Sequence, residues 1–361
     1  MPCKILLDLR AFFLEVLATI REISTKAAKE LVASARDFCL ERALAPVAAD
    51  LEALNGNLAA YLHSESESSR QVIDHVVASG GKRIRPALYF FVCRMLGYRG
   101  EHLLPIGAVT EFVHAASLLH DDVVDNSSMR RNKPTPKSIW GDEAAVLTGD
   151  LVYARASEMM AETGSLEIVK LFARAIRMMS EGELLQLENV FNPSVSTKTY
   201  LQILNCKTAV LISAACRSAG VLGGATEEQR DALSRFGELT GVAFQLIDDA
   251  LDYLSSSERF GKPTLADLKE GKVTMPVILL REVCTGAEQS RISAMLDLAI
   301  IRDGDMDWIA GLVEKHGTAL QTIELATSYT LEAVQCLAVF PESPERGDLE
   351  SLAMKLVRRF N

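Results

Sequence analysis

The chain has 361 residues, 48% of them hydrophobic, and a formal net charge of −10 at neutral pH. That apolar content excludes an intrinsically disordered chain, and the acidic balance argues against a nucleic-acid partner, because gripping a phosphate backbone requires a basic face. The seven cysteines are scattered, odd in number and without a CxxC pair, so neither a disulfide framework nor a zinc site is expected, and a reducing compartment such as the cytoplasm is favoured.

The first twenty residues are apolar but interrupted by Asp8, Arg10 and Glu15. They are too charged for a signal peptide or a membrane span and too acidic for a transit peptide, so an amphipathic helix able to associate loosely with a membrane is expected there. From residue 4 onward leucine and alanine recur at three- and four-residue spacing while β-branched alternation never persists, which predicts an all-α fold. Pro46 marks a helix start, a Ser- and Glu-rich loop over 63–70 leads into a helix over 69–79, and Gly80 and Gly81 stop it. The stretch GGKRIRP at 80–86 then places Lys82, Arg83 and Arg85 at a helix entrance, where free backbone N–H groups also favour anions. A diphosphate pocket is the reading preferred there over an ordinary basic turn.

A helix over 101–125 ends in LLHDDVVD, 118–125. At 100° per residue Asp121, Asp122 and Asp125 fall within one arc, where three like charges repel unless a cation fills the space, and hard oxygen ligands of this kind suit Mg²⁺. A solvated acidic helix end is the plainer alternative. Arg130 and Arg131 follow directly and supply guanidinium forks for diphosphate oxygens. Helices are expected over 141–160, 166–191 and 200–220, the last containing Lys207 and Thr208, whose cation and hydroxyl both reach as far as a phosphate. A helix over 226–255 repeats the acidic pattern in FQLIDDALD, 244–252, with Asp248, Asp249 and Asp252 on one face and Gln245 one turn ahead. Two clusters of identical spacing, each growing from an apolar run, point to two helix faces opposed across a metal-filled cavity whose ligand is a diphosphate. The polar stretch 255–272 is a candidate lid, with Lys262 and Lys272 as its anion contacts. Residues 273–361 read as helical scaffold with turns near 286, 303 and 341–347. The chain has no Walker-type loop and no Ser/His/Asp arrangement at recognisable spacing.

Together, LLHDDVVD with Met129, Arg130 and Arg131, GGKRIRP, Lys207 with Thr208, and FQLIDDALD with Gly261 and Lys262 resemble the trans-polyprenyl diphosphate synthases, most closely the long-chain bacterial octaprenyl members. The resemblance covers residues 45–361 and leaves 1–44 as an N-terminal helical extension. It implies an isoprenoid-synthase-type helical bundle around a central cavity, assembled as a homodimer. It also implies three Mg²⁺ ions per active site, held by Asp121, Asp122 and Asp125 under the allylic diphosphate and by Asp248, Asp249 and Asp252 from the opposite wall. Arg130, Lys207, Thr208, Gln245 and Lys262 match positions that hold the allylic substrate, farnesyl or geranylgeranyl diphosphate. Lys82, Arg85, His114 and Arg131 match those that hold isopentenyl diphosphate. One departure is Asp267, a single acid where the family commonly has a pair, which bears on the outer shell of the third metal.

Ala116 and Ser117, five and four residues before Asp121, are both small and read as an open passage for a growing chain, where short-chain members carry aromatic residues. Met160 and Phe172 are the expected stops deeper in that passage. Three other readings stay open. A geranylgeranyl diphosphate synthase would differ only in the passage. A non-catalytic partner subunit of a heteromeric synthase would be expected to lose carboxylates. A class I terpene cyclase would replace the second acidic motif and lack an isopentenyl pocket.

Overall fold

The computed structural model describes residues 40–78, 80–130, 133–254 and 265–358; the expected N-terminal helix before residue 40, Arg131 and Lys262 lie outside them. The fold is an all-α bundle. The short α1 (Leu40–Leu44) and a 3-10 turn (Ala45–Val47) containing Pro46 lead into α2 (Ala48–Tyr61) and α3 (Glu67–Ala78). Then come α4 (Ile84–Met95) and α5 (Leu103–Val124), a two-residue hairpin of β1 (Met129–Arg130) and β2 (Lys133–Pro134), and α6 (Pro136–Trp140). The long helices α7 (Asp142–Glu162) and α8 (Leu166–Leu187) are followed by α9 (Thr197–Leu204), a π turn (Asn205–Ala209) and α10 (Val210–Leu222). Next is α11 (Glu227–Leu254), and the remainder is α12 (Ala266–Lys269), α13 (Met275–Val283), α14 (Gly286–Asp297), α15 (Asp303–His316), α16 (Thr318–Cys336) and α17 (Pro344–Val357).

Local chemistry explains the boundaries. Ser165 and Ser196 cap α8 and α9 by accepting the backbone N–H of Ile168 at 3.3 Å and of Thr199 at 3.1 Å, and Thr285 with Glu288 forms a capping box on α14. Helix α8 stops at Leu187, four residues before the end expected from its pattern. Phe191 there adopts a left-handed φ of 58° and donates its N–H to the Gly271 carbonyl at 2.8 Å. Gly271 has φ 78°, and its missing side chain makes room for the Phe191 ring, which would lie 2.7 Å from a Cβ. This contact fastens the segment behind the second acidic cluster to the end of α8.

Helix α5 is apolar enough by length and composition to cross a membrane, yet it packs in the interior against α7 and α4. Helix α11 links the two halves of the core. Its Leu233, Phe236 and Leu239 join a cluster with α4, α5 and α10, and Val242, Leu246, Ile247 and Ala250 join a second one with α13 and α16. The apolar residues of α11 recur at three- and four-residue spacing, the pattern of a helix buried along a broad stripe.

Candidate active site

Helices α5 and α11 carry the acidic clusters, and their ends border two cavities that share one wall. The larger, about 730 Å³, is lined by Lys82, Arg85 and His114 and also reached by Asp122 and Asp248. The smaller, about 260 Å³, is lined by Asp121, Asp125, Asp249 and Asp267, with Lys207 and Lys272 among them. Leu118, Arg130, Thr208 and Gln245 border both. Adjacent aspartates are therefore split across the wall: Asp121 faces the acidic cavity and Asp122 the basic one, and Asp249 and Asp248 divide in the same way. Neighbouring helical positions differ by 100°, so the aspartates of each cluster keep the arc expected from their spacing while adjacent ones border different parts of the site. Asp252 lines neither cavity and stands beside Asp267.

The basic cavity is built at the break between α3 and α4. Arg83 takes a left-handed φ of 49° as the residue before α4, and its guanidinium is bound by Glu111 at 2.5 Å and by Asn55 at 3.0 Å. Of the three cations expected to serve an anion here, Arg83 is thus committed to a half-buried ion pair, while Lys82 and Arg85 line the cavity. The β hairpin closes one side: His75 meets the Pro134 carbonyl at 3.0 Å and Lys133 donates to that of Ala78 at 3.2 Å. Arg130, on β1, donates from Nε to Asp122 at 2.8 Å, so the first cluster and the arginine after it are coupled directly.

Lys207 and Thr208 sit in the π turn. The extra backbone residue there turns both side chains toward the cavities without breaking the helical run, and two glycines make the space. A Cβ at Gly182 would lie 2.6 Å from the Cβ of Cys206, and one at Gly241 2.5 Å from the Cα of Ala209. Lys207 is held by Glu183 at 2.5 Å and Gln186 at 2.9 Å, both on α8. Thr208 donates to Gln245 Oε1 at 3.2 Å, Gln245 Nε2 donates to Asp249 Oδ1 at 2.9 Å, and the Tyr200 hydroxyl donates to Asp249 Oδ2 at 2.5 Å. Glu183, Gln186 and Tyr200 were not singled out from the sequence. Glu183 and Gln186 share one face of α8 next to Gly182, a local pattern that was available, whereas Tyr200 gave no signal because its partner is 49 residues away.

Electrostatics in the acidic cavity are unbalanced. Burial, reinforced by the nearby Glu183 carboxylate, pushes Asp121 up to about 6 despite Lys207 and Arg130. Burial next to Asp252 pushes Asp267 up to about 6, and burial beside Asp267 raises Asp249 although Tyr200 and Gln245 hydrogen-bond to it. One buried Glu183 oxygen has no hydrogen-bond partner among the described residues. Lys272 lies 3.7 Å from Asp125 and 2.6 Å from Glu270, so the described part of the expected lid already reaches this cavity. Among the described residues no three acidic, His or Cys side chains converge into a ready-made metal cage. The carboxylates that line the acidic cavity, Asp121, Asp125, Asp249 and Asp267, are hard oxygen donors that fit Mg²⁺, which takes one or two of them with water and phosphate oxygens.

The expected chain-length residues fall in two environments. Ala116, Met160 and Phe172 are all buried in the first core cluster. Ser117 is half-buried, its hydroxyl donating to the His114 carbonyl at 2.8 Å.

An all-α bundle whose acidic and basic cavities meet at one wall is the architecture of an isoprenoid synthase. The chain belongs to the polyprenyl synthetase family, whose model matches residues 66–309, and is a prenyltransferase. It is 37% identical over 323 residues to the octaprenyl diphosphate synthase of Escherichia coli strain K12, covering 89% of this chain and 99% of that enzyme. The decaprenyl diphosphate synthase from Rhodobacter capsulatus has the same fold, with a TM-score of 0.84 and 37% identity over 90% of this chain and 100% of the other. A polyprenyl synthase from Caulobacter crescentus, complexed with calcium and isoprenyl diphosphate, gives a TM-score of 0.83 and 35% identity over 90% and 98%.

Proposed function

We propose that the chain is a long-chain trans-polyprenyl diphosphate synthase that extends farnesyl or geranylgeranyl diphosphate with isopentenyl diphosphate to an octaprenyl-like product. The observation that carries this reading is the shared wall between an acidic and a basic cavity. It gives two diphosphates separate seats with their carbon chains meeting at Leu118, Thr208 and Gln245. Isopentenyl diphosphate takes the basic cavity on Lys82, Arg85 and His114, with Arg131 assigned to the same role from the sequence. The allylic diphosphate takes the acidic cavity, where Asp121 and Asp125 on α5 and Asp249 and Asp267 around α11 would hold up to three Mg²⁺ ions, with Asp248 beside them on the basic side. Lys207, Arg130 and Thr208 bind the remaining oxygens, joined by Lys262 from the lid.

Mg²⁺ supplies Lewis-acid stabilisation of charge on the departing diphosphate. Lys207 and Arg130 stabilise the same charge through fixed donors already aimed at it. Heterolysis of the allylic C–O bond leaves a carbocation, the isopentenyl double bond attacks it to form the new C–C bond, and the proton lost passes to the diphosphate. No side-chain base is required. Water would quench the cation, which accounts for the apolar lining supplied by Leu118, Leu119, Ile212 and Phe244 and for a lid segment anchored on Phe191. Residues 45–361 constitute the synthase domain and 1–44 an extension, the chain acts as a homodimer, and its site of action is the cytoplasm.

The six aspartates of both clusters favour this reading over a non-catalytic subunit or a terpene cyclase. The test is incorporation of labelled isopentenyl diphosphate into farnesyl diphosphate by the purified chain. Incorporation that stops on chelation and returns with Mg²⁺ supports the proposal; none, from folded protein, refutes it.

A further inference from the structure

Both oxygens of Asp249 are occupied from within the protein, one by Tyr200 and the other by Gln245. Asp249 and Tyr200 are almost completely buried, at 3% and 4% exposure, and Gln245 and Thr208 form part of the wall between the cavities. From this we infer that Tyr200 is a positioning residue for the allylic substrate, acting through Asp249 to fix the orientation of the Gln245 amide and, with it, the Thr208 hydroxyl.

With Asp249 ionised, as metal binding requires, it offers only acceptors, so Gln245 turns its Nε2 towards it and its Oε1 towards Thr208. The remaining Nε2 hydrogen is then directed away from Asp249, and no carbonyl oxygen is presented to an incoming diphosphate. The Tyr200 hydroxyl pins Asp249 against rotation about its Cβ–Cγ bond. Without that hydroxyl the carboxylate turns, the amide loses its fixed partner, and the flipped amide places a carbonyl oxygen against the anion. A buried network of this kind acts as a unit, so its members do not contribute additively. The basic cavity, seated on Lys82, Arg85 and His114, touches Tyr200 nowhere.

This inference rests on the allylic assignment above, and the experiment separates the two. Equilibrium binding of farnesyl thiodiphosphate, an unreactive allylic diphosphate, is measured in Mg²⁺ for the parental chain, Tyr200→Phe, Gln245→Ala and the double variant, together with isopentenyl diphosphate binding and melting temperature. The expected result is an affinity loss of about tenfold for Tyr200→Phe, the scale of one charge-assisted hydrogen bond, with isopentenyl diphosphate affinity retained. In the Gln245→Ala background the same change should have no further effect. Unchanged affinity, or an equal loss in both backgrounds, would overturn the inference; a parental chain that binds no allylic analogue would overturn the functional reading itself. If Tyr200→Phe does not fold, Tyr200→Leu, which removes the same hydroxyl, must show the same dependence on Gln245.

Discussion

Gly241 on α11 approaches Ala209 of the π turn so closely that a Cβ would stand 2.5 Å from the Ala209 Cα. The neighbour is backbone rather than the end of a flexible side chain, so it has little room to yield. One helix turn earlier, Gly237 meets the Ile212 carbonyl at 2.8 Å in the same way. The close seating of α11 against the π turn and α10 sets the distance between the second acidic cluster and Lys207.

Gly241→Ala should therefore destabilise the fold by roughly 3 kcal/mol, the upper end of the cost of overpacking a core. It should also weaken allylic diphosphate binding by displacing Lys207. Chemical denaturation measures the first effect and ligand titration the second. A variant as stable as the parent would show that the π turn tolerates the shift.

Asp121→Asn is expected to separate stability from activity. The buried carboxylate is held up to about 6 by its surroundings, so the neutral amide relieves an unfavourable desolvation and should raise the melting temperature of the metal-free protein. Activity should fall on the order of a hundredfold or more, the scale for losing one group directed at developing charge. A variant both less stable and fully active would contradict the placement of Asp121 at the diphosphate.

The same burial gives a pH dependence. Because Asp121 and Asp267 are pushed up to about 6, the folded protein binds more protons than the unfolded chain between the ordinary carboxylate range and that value. Their contribution thus favours the fold at low pH and is lost as pH rises through about 6, and the raised Asp249 extends the loss upward. Metal binding needs the deprotonated groups, so Mg²⁺ with diphosphate should raise the melting temperature more at about pH 8 than at about pH 5. Equal shifts at both would argue that these carboxylates do not take the metal.

Product length tests the passage. Ser117→Phe should shorten the product towards geranylgeranyl diphosphate, since Ser117 is half-buried one helical turn before Asp121. Ala116→Phe should cost stability first, because Ala116 has no exposed surface. Met160→Ala should lengthen the product if Met160 is a stop, and Phe172→Leu is the milder probe of the other stop, because Phe172 is fully buried and truncation to Ala costs about 3–5 kcal/mol. Chromatography of the dephosphorylated products reads all four, and an unchanged distribution for Ser117→Phe would place the passage elsewhere.

Much of this was legible in the sequence where the signal is local. Helical periodicity, the basic break at 80–86 and the paired acidic clusters all lie within a few turns of chain. The partition of Asp121 from Asp122 was not legible, since periodicity gives an angle between neighbours but not where a cavity wall runs. Nor was the commitment of Arg83 to Glu111, 28 residues on, or of Tyr200 to Asp249. The π turn left no mark in the apolar pattern, and Gly182 and Gly241, which accommodate it, lie inside expected helices with no local signal of their close neighbours.

The division of the site into a metal-dependent and a metal-independent half is tested most directly by titrating isopentenyl diphosphate and farnesyl thiodiphosphate calorimetrically, with Mg²⁺ and with chelator. Isopentenyl diphosphate, held by side-chain cations, should bind equally well in both, while the allylic analogue should lose at least about tenfold in affinity without Mg²⁺. Equal metal dependence for the two ligands, or none for either, would contradict the account.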